Sequence, residues 1–177
     1  MARRPHRFTE DDFETLEGRA SKTEQKKAVQ RMAALGEQLA ELNLKQIQSL
    51  PVEERLIDAL LDVQNITSHE ARRRQFQRIG KLLRYEDESV ILSYLTPQQG
   101  AKKTAQLQRW VERIVKDGDI VINEFVKTYN AAERHTLRQH ALRIHRDMSK
   151  QVSDVELEES KLKLFNYVQQ VALISDN

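Results

Sequence analysis

The chain has 177 residues, of which 39% are hydrophobic, so it is long enough and apolar enough to fold around a core of its own. Its 29 Lys and Arg residues nearly balance its 27 Asp and Glu residues, which excludes a uniformly basic tail, so any binding signal comes from local charge segregation. The absence of cysteine excludes disulfides and thiolate chemistry, no apolar run is long enough to span a membrane, and we expect a cytoplasmic protein.

The chain begins with a polar arm that leads into a helix. Residues 1–20 change from arginines to carboxylates and hold few large apolar side chains, which is typical of a mobile arm. Ser21 and Glu24 have the spacing of a capping box, and apolar residues recur at steps of three and four from Ala28 to Leu42. Because only five Gly and three Pro interrupt the chain, long helices are expected throughout.

Residues 21–96 are predicted to form an N-terminal helical lobe. Pro51 predicts a turn, since the residue before a proline is disfavoured in a helix. The apolar periodicity beyond it predicts either one long helix or two helices joined near Thr67 and Ser68. Proline and glycine bracket the polar stretch 96–100, which is the best candidate for a domain boundary.

Residues 97–177 are predicted to form a C-terminal helical lobe. The sequence Asp-Gly-Asp at 117–119 predicts a helix end, and a short helix is expected from Ile120 to Tyr129. Capping signatures at 130–133 and 153–156 predict the starts of the last two helices. Five aromatic residues at helical spacing are expected in the core or where the lobes join, with base-stacking platforms as the alternative: Trp110, Phe125, Tyr129, Phe165 and Tyr167. The pattern predicts an all-α protein made of two small helical bundles.

The segment 71–84 carries six cations and no carboxylate on a predicted helix. With Phe76 at 0°, the other apolar residues fall at about 240° to 340° around the helix, and five cations fall at about 60° to 200°. These five cations are Arg73, Arg74, Arg78, Lys81 and Arg84. Arg72 falls on the apolar side, so we expect it to pack on Phe76 or to pair with an acid of another helix.

Such a row favours an anionic partner. Like charges at helical neighbour spacing cost about 0.2–0.5 kcal/mol for each pair unless an anion lies across them. The planar guanidinium group binds phosphate through two hydrogen bonds and stacks on bases, so RNA is the preferred partner. The alternative is a solvated face that Glu53, Glu54 or Glu86 neutralises. Gly80, inside the helix, indicates either close packing or close approach of a phosphate.

Two weaker basic segments follow. Residues 99–116 hold five cations and one carboxylate, and residues 130–150 hold five cations and two carboxylates, which is consistent with a bipartite binding surface or with solvated faces. His135, His140 and His145 are five residues apart and turn by about 140° at each step, so no metal site is expected. No motif indicates catalysis, a cofactor or a small-molecule substrate.

Several segments resemble the bacterial YjgA family of dual-action ribosomal assembly proteins. Residues 72–84 read RRRQFQRIGKLLR, close to the family signature R-R-R-Q-x-Q-x-I-G-K-x-L-R. Residues 21–26 resemble the family's S-K-(S/T)-E-x-K start, and residues 164–168 its closing (I/L)-F-x-Y-(L/V). Residues 132–138 resemble its A-(D/E)-R-x-x-L-R motif, and Arg143 matches a further arginine downstream.

The resemblance implies an all-helical, dumbbell-like factor that is not an enzyme. Such a factor associates with late large-subunit (50S) precursors and helps the rRNA around the peptidyl transferase centre to mature. The resemblance also implies a second RNA-binding site at Arg134, Arg138 and Arg143. The arm departs from the family pattern, since it is short and begins with arginines where relatives are often acidic. We expect a monomer without cofactors; the alternatives are a helical protein-interaction adaptor for acidic partners and an RNA hydrolase.

Overall fold

The computed structural model describes residues 20–175, and every regular element within them is helical. In chain order the elements are α1 (Lys22–Ala40), α2 (Leu44–Gln48), α3 (Glu54–Asp62), the 3-10 helix η1 (Val63–Asn65), α4 (His69–Leu83), α5 (Glu88–Leu95), α6 (Ala101–Asp117), α7 (Asp119–Thr128), α8 (Arg134–Ser149) and α9 (Asp154–Ser175). The predicted all-α fold is confirmed. The arm predicted for residues 1–20 lies outside the described residues, apart from Ala20.

The described residues divide into two compact units. Residues 26–97 form the N-terminal unit, and residues 20–25 together with 98–175 form the C-terminal unit. The start of α1 therefore belongs to the C-terminal unit, where Glu24 accepts a hydrogen bond at 3.3 Å from the backbone N–H of His135. The lobes 21–96 and 97–177 and their dumbbell arrangement stay predictions.

Each α-helix of the N-terminal unit buries one apolar face. The buried side chains include Leu35 and Leu39 of α1, Ile47 of α2, Leu56 and Leu60 of α3, Phe76, Ile79 and Leu83 of α4, and Ile91 and Leu92 of α5. Burial of each such side chain contributes on the order of 1.5–3 kcal/mol to folding. The core therefore determines which face of each helix is left to solvent.

Two glycines let α1 and α4 approach closely. A Cβ atom on Gly80 would lie 3.1 Å from the backbone nitrogen of Ala33, and one on Gly36 would lie 2.7 Å from Cγ2 of Ile79. These distances leave no room for a methyl group without movement of neighbouring atoms. Of the two interpretations of Gly80, the structure confirms close packing.

The segment from Glu54 to Leu83 forms two α-helices, α3 and α4, and not one long helix. α3 runs into η1, and the backbone then becomes extended at Ile66 (φ −88°, ψ 118°) and at Ser68 (φ −68°, ψ 129°). α4 begins at His69. The predicted junction near Thr67 and Ser68 is confirmed.

Four helices, α6 to α9, supply the core of the C-terminal unit. The ring of Trp110 packs edge-on against Phe125, with centroids 5.3 Å apart, and against Tyr129 at 6.4 Å. The rings of Phe125 and Tyr129 are 4.8 Å apart. Tyr167 is buried in the same core, and Phe165 packs against it. The prediction that these aromatic residues belong to the core is confirmed.

Two helix boundaries in the C-terminal unit lie where the sequence predicts them, and a third does not. Gly118 separates α6 from α7 with φ 66°, a conformation that favours glycine. Ser153 caps α9 by accepting a hydrogen bond at 3.3 Å from the backbone N–H of Glu156. The predicted cap at Asn130 is wrong, because α8 begins only after Glu133, which is its N-cap residue.

Candidate nucleic-acid interface

Five exposed cations lie on one side of α4 and at its C-terminal end, and we call them the α4 basic face. They are Arg73, Arg74, Arg78, Lys81 and Arg84. At 3.6 residues per turn they occupy an arc of about 140° that excludes the buried Phe76, Ile79 and Leu83. Because the buried side chains fix the orientation of α4, the five predicted cations face solvent together.

Glu70, in the first turn of α4, pairs with two of these cations. Arg73 donates hydrogen bonds from Nη2 to Oε1 of Glu70 at 2.6 Å and from Nε to Oε2 at 3.2 Å. Arg74 Nε lies 3.5 Å from Glu70 Oε1. The hydrogen bond from Arg73 holds the pKa of Glu70 below its ordinary value and raises the pKa of Arg73. All three side chains are exposed, so water and salt weaken these ion pairs.

The carboxylates expected to neutralise the row do not do so. Within residues 20–175, Glu53, Glu54 and Glu86 form no ion pair with the α4 basic face; Glu53 pairs with Arg55 at 3.4 Å, and Glu86 accepts a hydrogen bond from the N–H of Glu53 at 3.0 Å. The neutralising residue is Glu70, immediately before the segment 71–84. Its spacing of three and four residues from Arg73 and Arg74 is the sequence signal that identifies it.

Arg78, Lys81 and Arg84 are exposed and form no ion pair or hydrogen bond within the described part of the chain. Lys81 and Arg84 lie at the C-terminal end of α4, where the helix dipole favours cations. Arg78 lies nearly one turn earlier and gains less from the dipole. These three side chains are the part of the α4 basic face most available to an anion.

Arg72 has a structural role. Its guanidinium group lies 5.6 Å from the centre of the Phe76 ring. Its Nη1 donates hydrogen bonds to the carbonyl oxygens of Val63 at 2.8 Å and Ile66 at 3.2 Å. The predicted packing of Arg72 on Phe76 is confirmed. The hydrogen bonds of Arg72 go to two backbone carbonyl groups, whereas the alternative prediction gave it an acidic residue of another helix as its partner. Arg72 thus joins α4 to η1 and the turn after it.

The three predicted arginines of α8 do not share one face. Arg138 lies about 40° from Arg134 around the helix, whereas Arg143 lies about 140° from Arg138. Arg138 pairs with Asp119 of α7 at 3.3 Å, with both side chains largely covered. Arg134 and Arg143 are exposed. Arg138 therefore connects two helices, and Arg143 belongs to a different surface from Arg134.

Arg143 shares its surface with two cations that the prediction of site residues left out. Arg146 and Lys150 are exposed and fall within about 60° of Arg143 around α8. Their spacing of three and then four residues is the sequence signal for this set. We call Arg143, Arg146 and Lys150 the α8 basic stripe.

One protein family matches most of the chain, including all of α4 and α8. The model of the family described as "Dual-action ribosomal maturation protein DarP" matches residues 18–169. The chain belongs to this family. The resemblance seen in the sequence motifs is thereby confirmed.

Three of the curated relatives that carry the DarP name show the extent of the match. The protein of Nitrosomonas eutropha is 42% identical over 128 residues, which cover 70% of this chain and 72% of the relative. The protein of Nitrosomonas europaea is 40% identical over 139 residues, covering 76% and 77%. The protein of Vibrio parahaemolyticus is 37% identical over 126 residues, covering 68% and 71%. The likeness to DarP proteins thus extends over most of each chain.

The described residues of this DarP-family chain were also compared with the patterns of membrane-spanning helices and metal sites. No helix within residues 20–175 is long and apolar enough to cross a membrane. Over the same residues, no group of three or more His, Asp or Glu side chains is arranged to hold a metal ion. Nε2 of His145 lies 2.6 Å from the carbonyl oxygen of Val115, so this ring hydrogen-bonds to the backbone of α6.

Proposed function

We propose that the chain is a ribosome assembly factor that binds the rRNA of late 50S precursors and promotes maturation of the peptidyl transferase centre. Membership of the DarP family supports the ribosomal role, since the relatives are named for ribosomal maturation. The observation that carries RNA binding is the set of three exposed, unpaired cations Arg78, Lys81 and Arg84 on α4. The proposal includes a cytoplasmic, monomeric protein without a cofactor.

The α4 basic face suits a phosphate backbone in charge and extent. Arg78 and Arg84 are six residues apart, which is about 9 Å along a helix axis. Each phosphate that a cation neutralises releases counterions, so binding is favoured entropically and weakens with salt. Arg73 and Arg74 join the contact when phosphate replaces the Glu70 carboxylate. The whole predicted set on α4 is therefore part of the proposed site.

A second contact comes from α8. Arg134 and Arg143 are exposed, and Arg143 lies beside Arg146 and Lys150 in the α8 basic stripe. Arg138 contributes by holding α8 on α7 through Asp119. We therefore assign phosphate contact to Arg134 and to the α8 basic stripe, and a positioning role to Arg138.

The proposed mechanism is selection of an RNA conformation. A protein that binds the near-mature form of an RNA more tightly than other forms shifts the population toward it by the ratio of the two affinities. A tenfold ratio corresponds to about 1.4 kcal/mol. No bond has to be made or broken, so we propose a role without catalysis.

A double charge reversal on α4 tests the proposal. Arg74→Glu with Arg78→Glu should abolish co-sedimentation with 50S precursors, because it replaces two cations of the site with anions. Lys161→Glu with Lys163→Glu is the matched control, since it changes the net charge equally on α9, where both lysines pair with glutamates. Unchanged co-sedimentation of the α4 variant would overturn the proposal.

Salt and nuclease separate RNA binding from a protein adaptor. Affinity for rRNA fragments should fall with rising salt, with a logarithmic slope of about 0.7–0.9 for each phosphate neutralised. Nuclease treatment of the precursors should release the protein. Binding that survives both treatments would instead identify an acidic protein partner, and cleavage of the fragments would identify a hydrolase.

A further inference from the structure

Tyr85 directly follows the α4 basic face and holds its ring in solvent. It is 85% exposed, more than any other large hydrophobic residue in the described part of the chain. Its backbone is nevertheless held, because the N–H of Tyr85 donates to the carbonyl of Leu82 at 3.2 Å and the N–H of Glu86 donates to that of Leu83 at 3.1 Å. A fixed backbone thus presents an uncovered aromatic ring.

Tyr85 lies in line with three cations of the α4 basic face. Arg74, Arg78, Lys81 and Tyr85 follow one another at steps of four, three and four residues, which places them within about 60° around a helix. Arg84 keeps helical backbone angles (φ −62°, ψ −22°), so the chain reaches Tyr85 along the path of α4. Tyr85 therefore lies about 6 Å beyond Lys81 along the helix axis.

Of the three acidic residues after Tyr85, two accept hydrogen bonds from the backbone and the third is partly buried. Glu86 accepts a hydrogen bond from the N–H of Glu53 at 3.0 Å. Asp87 caps α5 by accepting from the N–H groups of Ser89 at 2.9 Å and Val90 at 3.4 Å. Glu88 is partly buried in the first turn of α5. Glu86 and Asp87 are therefore held by the backbone of their own unit, whereas Lys81 and Arg84, on the other side of Tyr85 in the chain, form no ion pair within the described residues.

We propose that Tyr85 stacks on an unpaired RNA base next to phosphates bound by Lys81 and Arg84. The inference rests on the proposed function and extends it from phosphate binding to the recognition of single-stranded nucleotides. A flat, uncovered ring beside a row of cations is the arrangement by which proteins bind single-stranded nucleic acid. Trp110, Phe125 and Tyr129 are not available for this role, because they pack against one another in the C-terminal unit.

Two RNA probes test the inference. The first is an oligoadenylate strand, and the second is the same strand annealed to its complement, so that its bases are covered. Tyr85→Ala should weaken binding to the single strand about fivefold or more and leave binding to the duplex unchanged. Tyr85→Phe should bind as the wild type does. Val155→Ala, at an exposed apolar position on α9, is the matched control and should change neither affinity.

Fluorescence reports the stacking itself. Tyr85→Trp should lose emission when the single strand binds, whereas Val155→Trp should not. If Tyr85→Ala leaves single-strand binding unchanged, or weakens binding to both probes equally, the stacking role is wrong. Loss of binding by the α4 double charge reversal would in that case still support RNA binding. A wild-type protein that binds neither probe nor 50S precursors would overturn the proposed function as well.

Discussion

Arg73 donates two hydrogen bonds to the carboxylate of Glu70, three residues earlier on α4, at 2.6 Å and 3.2 Å. The same carboxylate lies 3.5 Å from Nε of Arg74. The carboxylate thus occupies two N–H groups of Arg73 of the kind through which a guanidinium binds phosphate, and it forms an ion pair with Arg74. In the proposed function, phosphate competes with Glu70 for these two arginines. The ion pairs of the free protein therefore reduce the charge that the α4 basic face offers to RNA.

Removing the competitor should strengthen RNA binding. Glu70→Gln should raise the affinity for rRNA fragments and steepen its logarithmic salt dependence by about 0.7–0.9 for each arginine released. Titrations at several salt concentrations measure both quantities. Glu54→Gln is the control. It also removes an exposed carboxylate of the N-terminal unit, but Glu54 forms no ion pair with α4 within the described residues. An equal gain in both variants would show that only net charge matters.

Substitution of two arginines on different sides of α4 should separate an effect on stability from an effect on RNA binding. Arg72→Ala should lower the free energy of unfolding by about 1–3 kcal/mol, because it leaves the carbonyls of Val63 and Ile66 without their donor. Arg78→Ala should change that free energy by no more than about 0.5 kcal/mol and should weaken RNA binding. Urea unfolding and RNA titration of each variant measure the contrast. A stable Arg72→Ala protein with weakened RNA binding would reverse the assigned roles.

The sequence predicted those helix boundaries that local chemistry decides. Ser153 caps α9 through a residue three positions away, and Gly118 ends α6 through its own backbone conformation. The predicted start of α8 is wrong because it depends on a contact with a distant residue. The N–H of Glu133 donates to the hydroxyl of Tyr167, which lies 34 residues later in the chain. A capping pattern around Asn130 contains no information about that contact.

The arrangement of the candidate site could be predicted from the sequence only in part. Helical periodicity grouped the five cations of α4 correctly, because the buried face of α4 is regular. It missed Glu70, which lies one residue before the basic segment. The family resemblance, and not periodicity, placed Arg134 and Arg143 in one site, although they lie about 180° apart around α8. The exposure of Tyr85 was not predictable, since it depends on what the folded chain leaves uncovered.

The close approach of α1 and α4 should make Gly36→Ala destabilising. The added Cβ would lie 2.7 Å from Cγ2 of Ile79, a buried β-branched residue with little freedom to move. We expect a loss of about 1–3 kcal/mol in the free energy of unfolding. In an Ile79→Ala background the new methyl group has space, so the same change should cost much less. Additive losses in a double-mutant cycle would contradict this packing.

Two glutamates should give the stability opposite dependences on pH. Burial raises the pKa of Glu88 above its ordinary value of 4.5, so the wild type loses stability as the pH rises through that raised pKa. Glu88→Gln should remove this loss and gain stability relative to the wild type as the pH rises. The pKa of Glu70 is lowered by its hydrogen bond with Arg73, so its contribution is lost as the pH falls through that lowered pKa. Urea unfolding from acidic to neutral pH should show opposite trends in Glu88→Gln and Glu70→Gln, and parallel curves would contradict both assignments.

Tyr167 should stabilise the start of α8 through a single hydroxyl group. Its oxygen accepts from the N–H of Glu133 at 2.8 Å and donates to Oε2 of the same residue at 3.0 Å, and Glu133 is 1% exposed. Tyr167→Phe leaves a buried N–H and a buried carboxylate each short of a partner, so we expect a loss of about 1–3 kcal/mol in urea unfolding. Tyr85→Phe removes an exposed hydroxyl and should change the same quantity by no more than about 0.5 kcal/mol. Equal stability of the two variants would show that the buried hydroxyl does not hold α8 in place. Because Arg134 follows Glu133 directly, the Tyr167 variant should also weaken RNA binding through α8 while leaving the α4 contact intact.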